Sequence, residues 1–267
     1  MFLRLLKQDL RATARVMIVL YAVVLVLSGA TRVMTSFMDQ NVGGLLVVVF
    51  ARLLVILFAV AVAACVVMTF VLMIIRFYKN FLTDEGYLMF TLPVTKGQLI
   101  WSKLLVSLVW AFASGVVGVL VVFILTVGTD AQDILFSFGW LKELFSEFST
   151  GENVMLVALF VVLVLLWAAY VYLKCYAAMA VGQSFGNHKF LFSVIFFIGF
   201  GIVERILTFS ILNPLMTMEN LADMAADAEP FSVLASVLGG IDGYYVVLCA
   251  VYFVVTYLFF KKKLNLQ

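Results

Sequence analysis

Six long apolar runs constrain this chain more than any other feature. They cover about 16–35, 45–75, 104–129, 154–181, 190–212 and 244–260. A helix needs roughly 20 apolar residues to cross about 30 Å of hydrocarbon, and the runs are of that order. Their apolar residues are continuous rather than alternating, which excludes a membrane β-barrel. Only 12% of the 267 residues are charged, about half the fraction of a soluble domain. The expectation is an all-α polytopic membrane protein, a single transmembrane domain over 1–267 with six transmembrane helices. The second run is long enough to tilt or to project beyond the bilayer.

Charge asymmetry orients the spans. Arg4, Lys7, Arg11 and Arg15 precede the first. Arg76, Lys79, Lys96 and Lys103 lie between the second and third, Lys174 and Lys189 flank the turn between the fourth and fifth, and Lys261, Lys262 and Lys263 follow the sixth. The opposite loops are acidic, with Asp130, Asp133, Glu143, Glu147, Glu152, Glu219, Asp223, Asp227 and Glu229. The positive-inside rule then places both termini and the loop 76–103 in the cytoplasm.

The basic stripe before the first span follows helical spacing, opposite Leu3, Leu6 and Leu10. It reads as an N-terminal interfacial helix over 1–15 that leads into the span. A cleavable signal peptide has similar grammar, with "SGA" at 28–30. Its removal would leave five spans and upset the charge asymmetry. Among the outer loops, 131–150 places Ile134, Phe138, Leu141, Phe145 and Phe148 on one helical face, with Trp140 suited to the headgroup level. The second, 213–242, is acidic and carries Met216, Met218 and Met224.

Little here can carry covalent chemistry. Cys65, Cys175 and Cys249 fall within spans and lack metal-type spacing. "GQSFG" at 182–186 matches G-x-S-x-G, yet it joins two membrane helices and lacks the strand a nucleophile elbow requires. His188 is the single histidine, too few for a histidine-built metal site or relay. There is no GxxxxGK[ST] phosphate loop, so any ATP must bind another chain. The chain is therefore expected to bind no cofactor and to have no enzyme activity of its own, and nothing in it suggests a nucleic-acid partner.

Intramembrane charge is a second signal. Glu204 and Arg205 lie about 22 Å past Lys189 along a helix. Adjacent helical residues diverge by about 100°, so each needs its own partner or a wet cavity. Arg52 and Arg32 lie near the same outer level and could pair with Glu204. The alternatives are the lining of an outward-facing path and a structural ion pair. A proton-coupled transporter would want ionisable residues near the midplane, and the sequence shows none there.

The loop 83–98, "TDEGYLMFTLPVTKGQ", combines turn chemistry with apolar residues. Thr83 can cap a short helix whose first turn holds Asp84 and Glu85. Gly86, Tyr87, Leu88, Met89, Phe90 and Leu92 follow, and Pro93 ends it. Thr95 and Gln98 then form a capping box T-x-x-Q that starts the next helix. An apolar helix outside the hydrocarbon must bury its face on the membrane surface, its own bundle or a partner.

"FYKNFLTDEGYLMFTLPVTKGQLIWSKLL" at 77–105 resembles the loop between the second and third spans of ABC-2-type ABC transporter permeases. It is particularly similar to the small six-span permeases of Gram-positive bacteria. "GQSFGNHK" at 182–189 and "KKKLNL" at 261–266 are also similar to that group. The resemblance covers the whole length in topology, but only the loop is specific. It implies a cytoplasmic coupling helix, about 81–92, that docks onto a separate ATP-binding subunit. Asp84, Glu85, Gly86, Tyr87, Leu88, Phe90, Leu92 and Pro93 would make that contact. ATP and Mg would sit on the ATPase, and a second permease chain, identical or different, would complete an exporter in the bacterial plasma membrane. A stand-alone secondary transporter or channel, or a non-transporting membrane scaffold or sensor, are the alternatives.

Overall fold

The computed structural model describes residues 2–39, 44–82, 94–129, 150–185, 188–212 and 230–262. Its helices are α1 (Phe2–Asp39), α2 (Leu45–Leu82), α3 (Lys96–Thr126), α4 (Thr150–Gly182), α5 (Lys189–Leu207) and α6 (Pro230–Lys262). A π-helical turn, Thr208–Leu212, extends α5. No strand occurs among the described residues. Among the described residues, six helices are long and apolar enough to cross a membrane. Burial is the reverse of a water-soluble fold. Ile18, Leu45, Phe112, Val154, Phe190 and Val247 are exposed, while Ser28, Ser102, Ser107 and Thr256 are fully buried. Such a surface is stable only against lipid, where the backbone must satisfy itself within each helix. The chain is a multi-pass membrane protein.

The helices differ from the sequence expectation mainly at their ends. Of the expected interfacial helix 1–15, residues 2–15 are described; they are helical and continue into the first span without a break. No glycine or proline precedes Ser28 to interrupt it. α2 has 38 residues, about 57 Å at 1.5 Å per residue, so it exceeds the hydrocarbon thickness. α6 begins at Pro230 rather than near 244, so the second outer loop is shorter than its composition suggests. Proline is well tolerated in the first turn of a helix, where its missing N–H has no partner to lose. The helix then runs through "GGIDG" at 239–243. The stretch 131–149 and Met216, Met218 and Met224 lie outside the described residues.

The chain divides into two compact units. The first is Leu3–Met73 with Leu105–Ser146. Its α1 buries Asp9, Thr13, Met17, Tyr21, Val24, Ser28 and Thr31, one face of a helix. Polar groups on that face bond to α3. Trp110 Nε1 donates to Thr13 Oγ1 at 2.7 Å, and Tyr21 OH donates to the Trp110 carbonyl at 3.2 Å. Tyr21 OH also bonds Ser114 Oγ at 2.7 Å, and Ser114 reaches Thr69 of α2 at 3.3 Å. At its C-terminal end α3 closes on Gly128, whose φ of 71° is the left-handed cap conformation. Arg32 Nε donates to the Val127 carbonyl there at 2.8 Å.

The second unit is Ile74–Leu104 with Glu147–Gln267. α4 and α6 run parallel in it, since Cys249 Sγ meets the Leu166 carbonyl and Tyr252 meets Tyr170. α5 returns antiparallel to α4 after a turn that begins at 183–185. Gln183 N donates to the Met179 carbonyl, Ser184 N to Val181 and Phe185 N to Gly182. The helices meet so closely that a Cβ at Gly182 would fall on Ser193, 2.5 Å from its N and 2.7 Å from its Cα. Only glycine fits that approach.

Candidate functional site

The second unit buries a charged cluster near the middle of its helices. Lys174 lies about 12 Å before the end of α4, and Glu204 about 22 Å into α5. Helical side chains lean toward their own N-terminus. In antiparallel helices, these two therefore lean toward each other and meet. Lys174 Nζ pairs with Glu204 Oε2, and each side chain is only 10% exposed. Tyr170 OH donates to the same oxygen at 2.8 Å, while Tyr252 OH donates to Oε1 at 2.5 Å. One carboxylate thus joins α4, α5 and α6.

The lysine is as fully engaged as the glutamate. Nζ lies 3.3 Å from Tyr170 OH, one helical turn away. It also lies 5.2 Å from the Phe197 ring centroid and 5.6 Å from that of Tyr170, within range of cation–π attraction. Gly201 leaves the ammonium its room: a Cβ there would stand 3.4 Å from Nζ. Charges within the bilayer are costly unless paired, and this pair has hydrogen bonds for the remaining lone pairs.

A cleft of about 760 Å³ opens over the cluster. Ile198, Ile202 and Arg205 of α5 line it, with Tyr244, Tyr245 and Leu248 of α6. Its size is that of a small-molecule site. At one end Thr208 Oγ1 and Tyr244 OH bond each other at 2.7 Å. Nearby in sequence, Asp242 is buried, and neither of its carboxylate oxygens has a hydrogen-bond partner among the described residues. Among the described residues no group of histidine, cysteine, aspartate and glutamate could hold a metal ion. The arrangement supplies charge, hydrogen bonds and shape for holding a ligand.

Two expectations are corrected by this geometry. Glu204 takes Lys174 as its partner rather than Arg32 or Arg52. Arg32 is committed to the Val127 carbonyl and Arg52 is exposed. Ionisable residues are also present deep within the helices, contrary to the reading that the midplane holds none. Lys174 was misplaced because a lysine before a turn looks like a flanking charge, whereas α4 continues to Gly182. Arg205, next to Glu204, stays out of the ion pair and is exposed, as the 100° step of a helix allows. The signal for the cluster was present in "AAYVYLKCY" at 168–176, a lysine one turn from a tyrosine inside an apolar run.

The expected coupling residues Asp84, Glu85, Gly86, Tyr87, Leu88, Phe90, Leu92 and Pro93 lie outside the described residues. Both ends of that segment are described. On the far side the capping box is formed: Gln98 N donates to Thr95 Oγ1 at 3.3 Å, and Thr95 N to Gln98 Oε1 at 3.2 Å. On the near side Phe77 and Phe81 of α2 are fully buried. Phe77 stacks on Tyr176 of α4 with centroids 3.9 Å apart and planes 5° from parallel. Phe260 of α6 lies 5.8 Å from Phe77 and 5.2 Å from Phe81. Lys96 Nζ donates to the Phe260 carbonyl at 2.7 Å, and Trp101 meets Phe253 at 5.5 Å.

In the expected G-x-S-x-G segment, Ser184 Oγ makes no hydrogen bond to His188 or to any other group among the described residues. Comparison with protein-family models, with curated proteins and with solved structures finds no match to this chain.

Proposed function

We propose that this chain is the transmembrane permease subunit of an ATP-driven ABC exporter. The loop 76–103 couples it to a separate ATP-binding subunit that carries ATP and Mg. A second permease chain completes the transporter, and both termini face the cytoplasm of a bacterial cell. The sequence of 77–105 supports the family, and one structural observation supports the role. The two helix ends that bracket 83–93 are gripped by Phe260, Tyr176 and Phe253, residues of α4 and α6. A force on the loop therefore reaches the same helices that hold Glu204. Transmission of that kind needs packed, discrete contacts rather than a flexible tether.

The test is co-purification. Coexpressed with the ATP-binding protein encoded beside it, the wild-type chain is expected to retain that protein. Glu85→Arg and Tyr87→Ala are expected to lower retention with expression unchanged. A wild-type chain that retains no ATPase overturns the reading.

A stand-alone secondary transporter is the second reading. The buried Lys174–Glu204 pair and the unpartnered Asp242 favour it, because such carriers place ionisable groups within the membrane. Ion-gradient-driven flux in vesicles containing this chain alone would establish it over the first.

A further inference from the structure

The cleft carries a charge that nothing balances among the described residues. Of the ionisable groups that line it, Lys174 and Glu204 cancel. Arg205 remains, exposed and without an ion-pair partner among the described residues. Asp242 does not line the cleft, and its oxygens are unbonded, so it does not neutralise Arg205. An arginine facing hydrocarbon is unfavourable unless it finds a counter-charge or reaches the interface.

Its position suggests the remedy. Arg205 lies about 24 Å along α5 from Lys189, and hydrocarbon is about 30 Å thick. A side chain of that length can snorkel the remaining distance to the headgroup level. Arg205, Ile202 and Ile198 stand at steps of three and four residues, one stripe of the helix. The stripe leads from the cation toward the middle of the membrane. Both isoleucines are 56% exposed. Beside Arg205, Thr208 and Tyr244 add hydroxyl groups at the same end of the cleft.

We propose that this cleft binds an anionic lipid of the surrounding bilayer. Its phosphate sits on the Arg205 guanidinium, and an acyl chain lies along Ile202 and Ile198. The guanidinium presents donors in a fork that matches phosphate oxygens. A second copy of this chain is the rival occupant. It would bring another Arg205 rather than an anion to a self-complementary contact.

The test is native mass spectrometry of the full chain released from defined bilayers. Phosphatidylglycerol and phosphatidylcholine of equal chain length are the probes. The wild-type chain is expected to retain phosphatidylglycerol about tenfold better, equivalent to about 1.4 kcal/mol. Arg205→Gln is expected to abolish the preference, Arg205→Lys to keep part of it, and Ile202→Trp to reduce retention by filling the chain groove. Because Arg205 and Ile202 are exposed, the variants are expected to fold, and an unchanged melting temperature checks this. Equal retention of the two lipids by the wild-type chain overturns the proposal, as does a preference that survives Arg205→Gln. Displacement of the lipid by millimolar inorganic phosphate assigns the site to a free anion and also overturns it. So does efficient disulfide dimerisation of Ile202→Cys, which would place a second copy on this face. The measurement uses this chain alone, so it stands whether or not an ATPase binds.

Discussion

Two networks, one in each unit, tie helices together by different chemistry. In the first, Thr13, Trp110, Tyr21, Ser114 and Thr69 link α1, α3 and α2 through neutral groups. In the second, a lysine, a glutamate and two tyrosines link α4, α5 and α6 through charge. Neutral hydrogen bonds suffice to associate membrane helices and contribute modestly, because separated helices also find partners in the bilayer. A buried ion pair is rarely the more stable choice, since its desolvation opposes its attraction. Stability alone therefore accounts for the first network and not for the second. The charged one also borders a cleft, so the two networks differ in setting as well as in chemistry.

The largest effect should come from breaking the charged network on one side. Glu204→Leu leaves Lys174 buried without its counter-charge and should lower unfolding stability by about 3–5 kcal/mol. The double variant Lys174→Met/Glu204→Leu should regain most of that loss. Denaturant titration in detergent measures both. A double variant as unstable as the single one would show that the pair is not a matched unit, and the comparison would collapse.

A smaller loss is expected where packing rather than charge is disturbed. Gly182→Val would drive a side chain into the Ser193 backbone and should destabilise by about 1–3 kcal/mol. Gly201→Ala meets only the end of a flexible lysine, at 3.4 Å, and should be milder. Similar melting temperatures for the two variants would argue that the α4–α5 approach is looser than described.

The smallest effect belongs to the neutral network. Trp110→Phe removes the donor to Thr13 Oγ1 and should lower stability by about 0.6 kcal/mol, the average for hydrogen bonds between membrane helices. A loss comparable to that of Glu204→Leu would erase the distinction between the two units.

The parts legible in advance were those governed by local rules. Apolar run length revealed six helices, and the spacing of Thr95 and Gln98 revealed their reciprocal cap. What escaped were matters decided by a neighbouring helix. Which cation meets Glu204 depends on the antiparallel register of α4 and α5, and no periodicity within one helix encodes that. The true start of α6, expected near 244, escaped for a different reason. An acid among glycines is ordinary loop chemistry, but lipid leaves the backbone no better partner than its own helix, so α6 forms straight through "GGIDG". Glu204 and Arg205 were recognised as needing separate partners because that depends only on the step between adjacent residues.

The buried face of α1 has a further consequence. From Asp9 to Thr31 its buried positions advance by four, four, four, three, four and three residues. That averages about 3.67 residues per turn, the eleven-residue period associated with a slight right-handed supercoil. The whole face is thus phased as one object, from the basic start of the helix to its far turns. Inserting a single residue after Thr13 would shift every side chain beyond it by only about 1.5 Å along the axis but rotate it by about 100°. Tyr21 and Ser28 would then face lipid, and the valines at 23 and 26 would change their surroundings in turn. α1 therefore tolerates changes of side chain far better than changes of length.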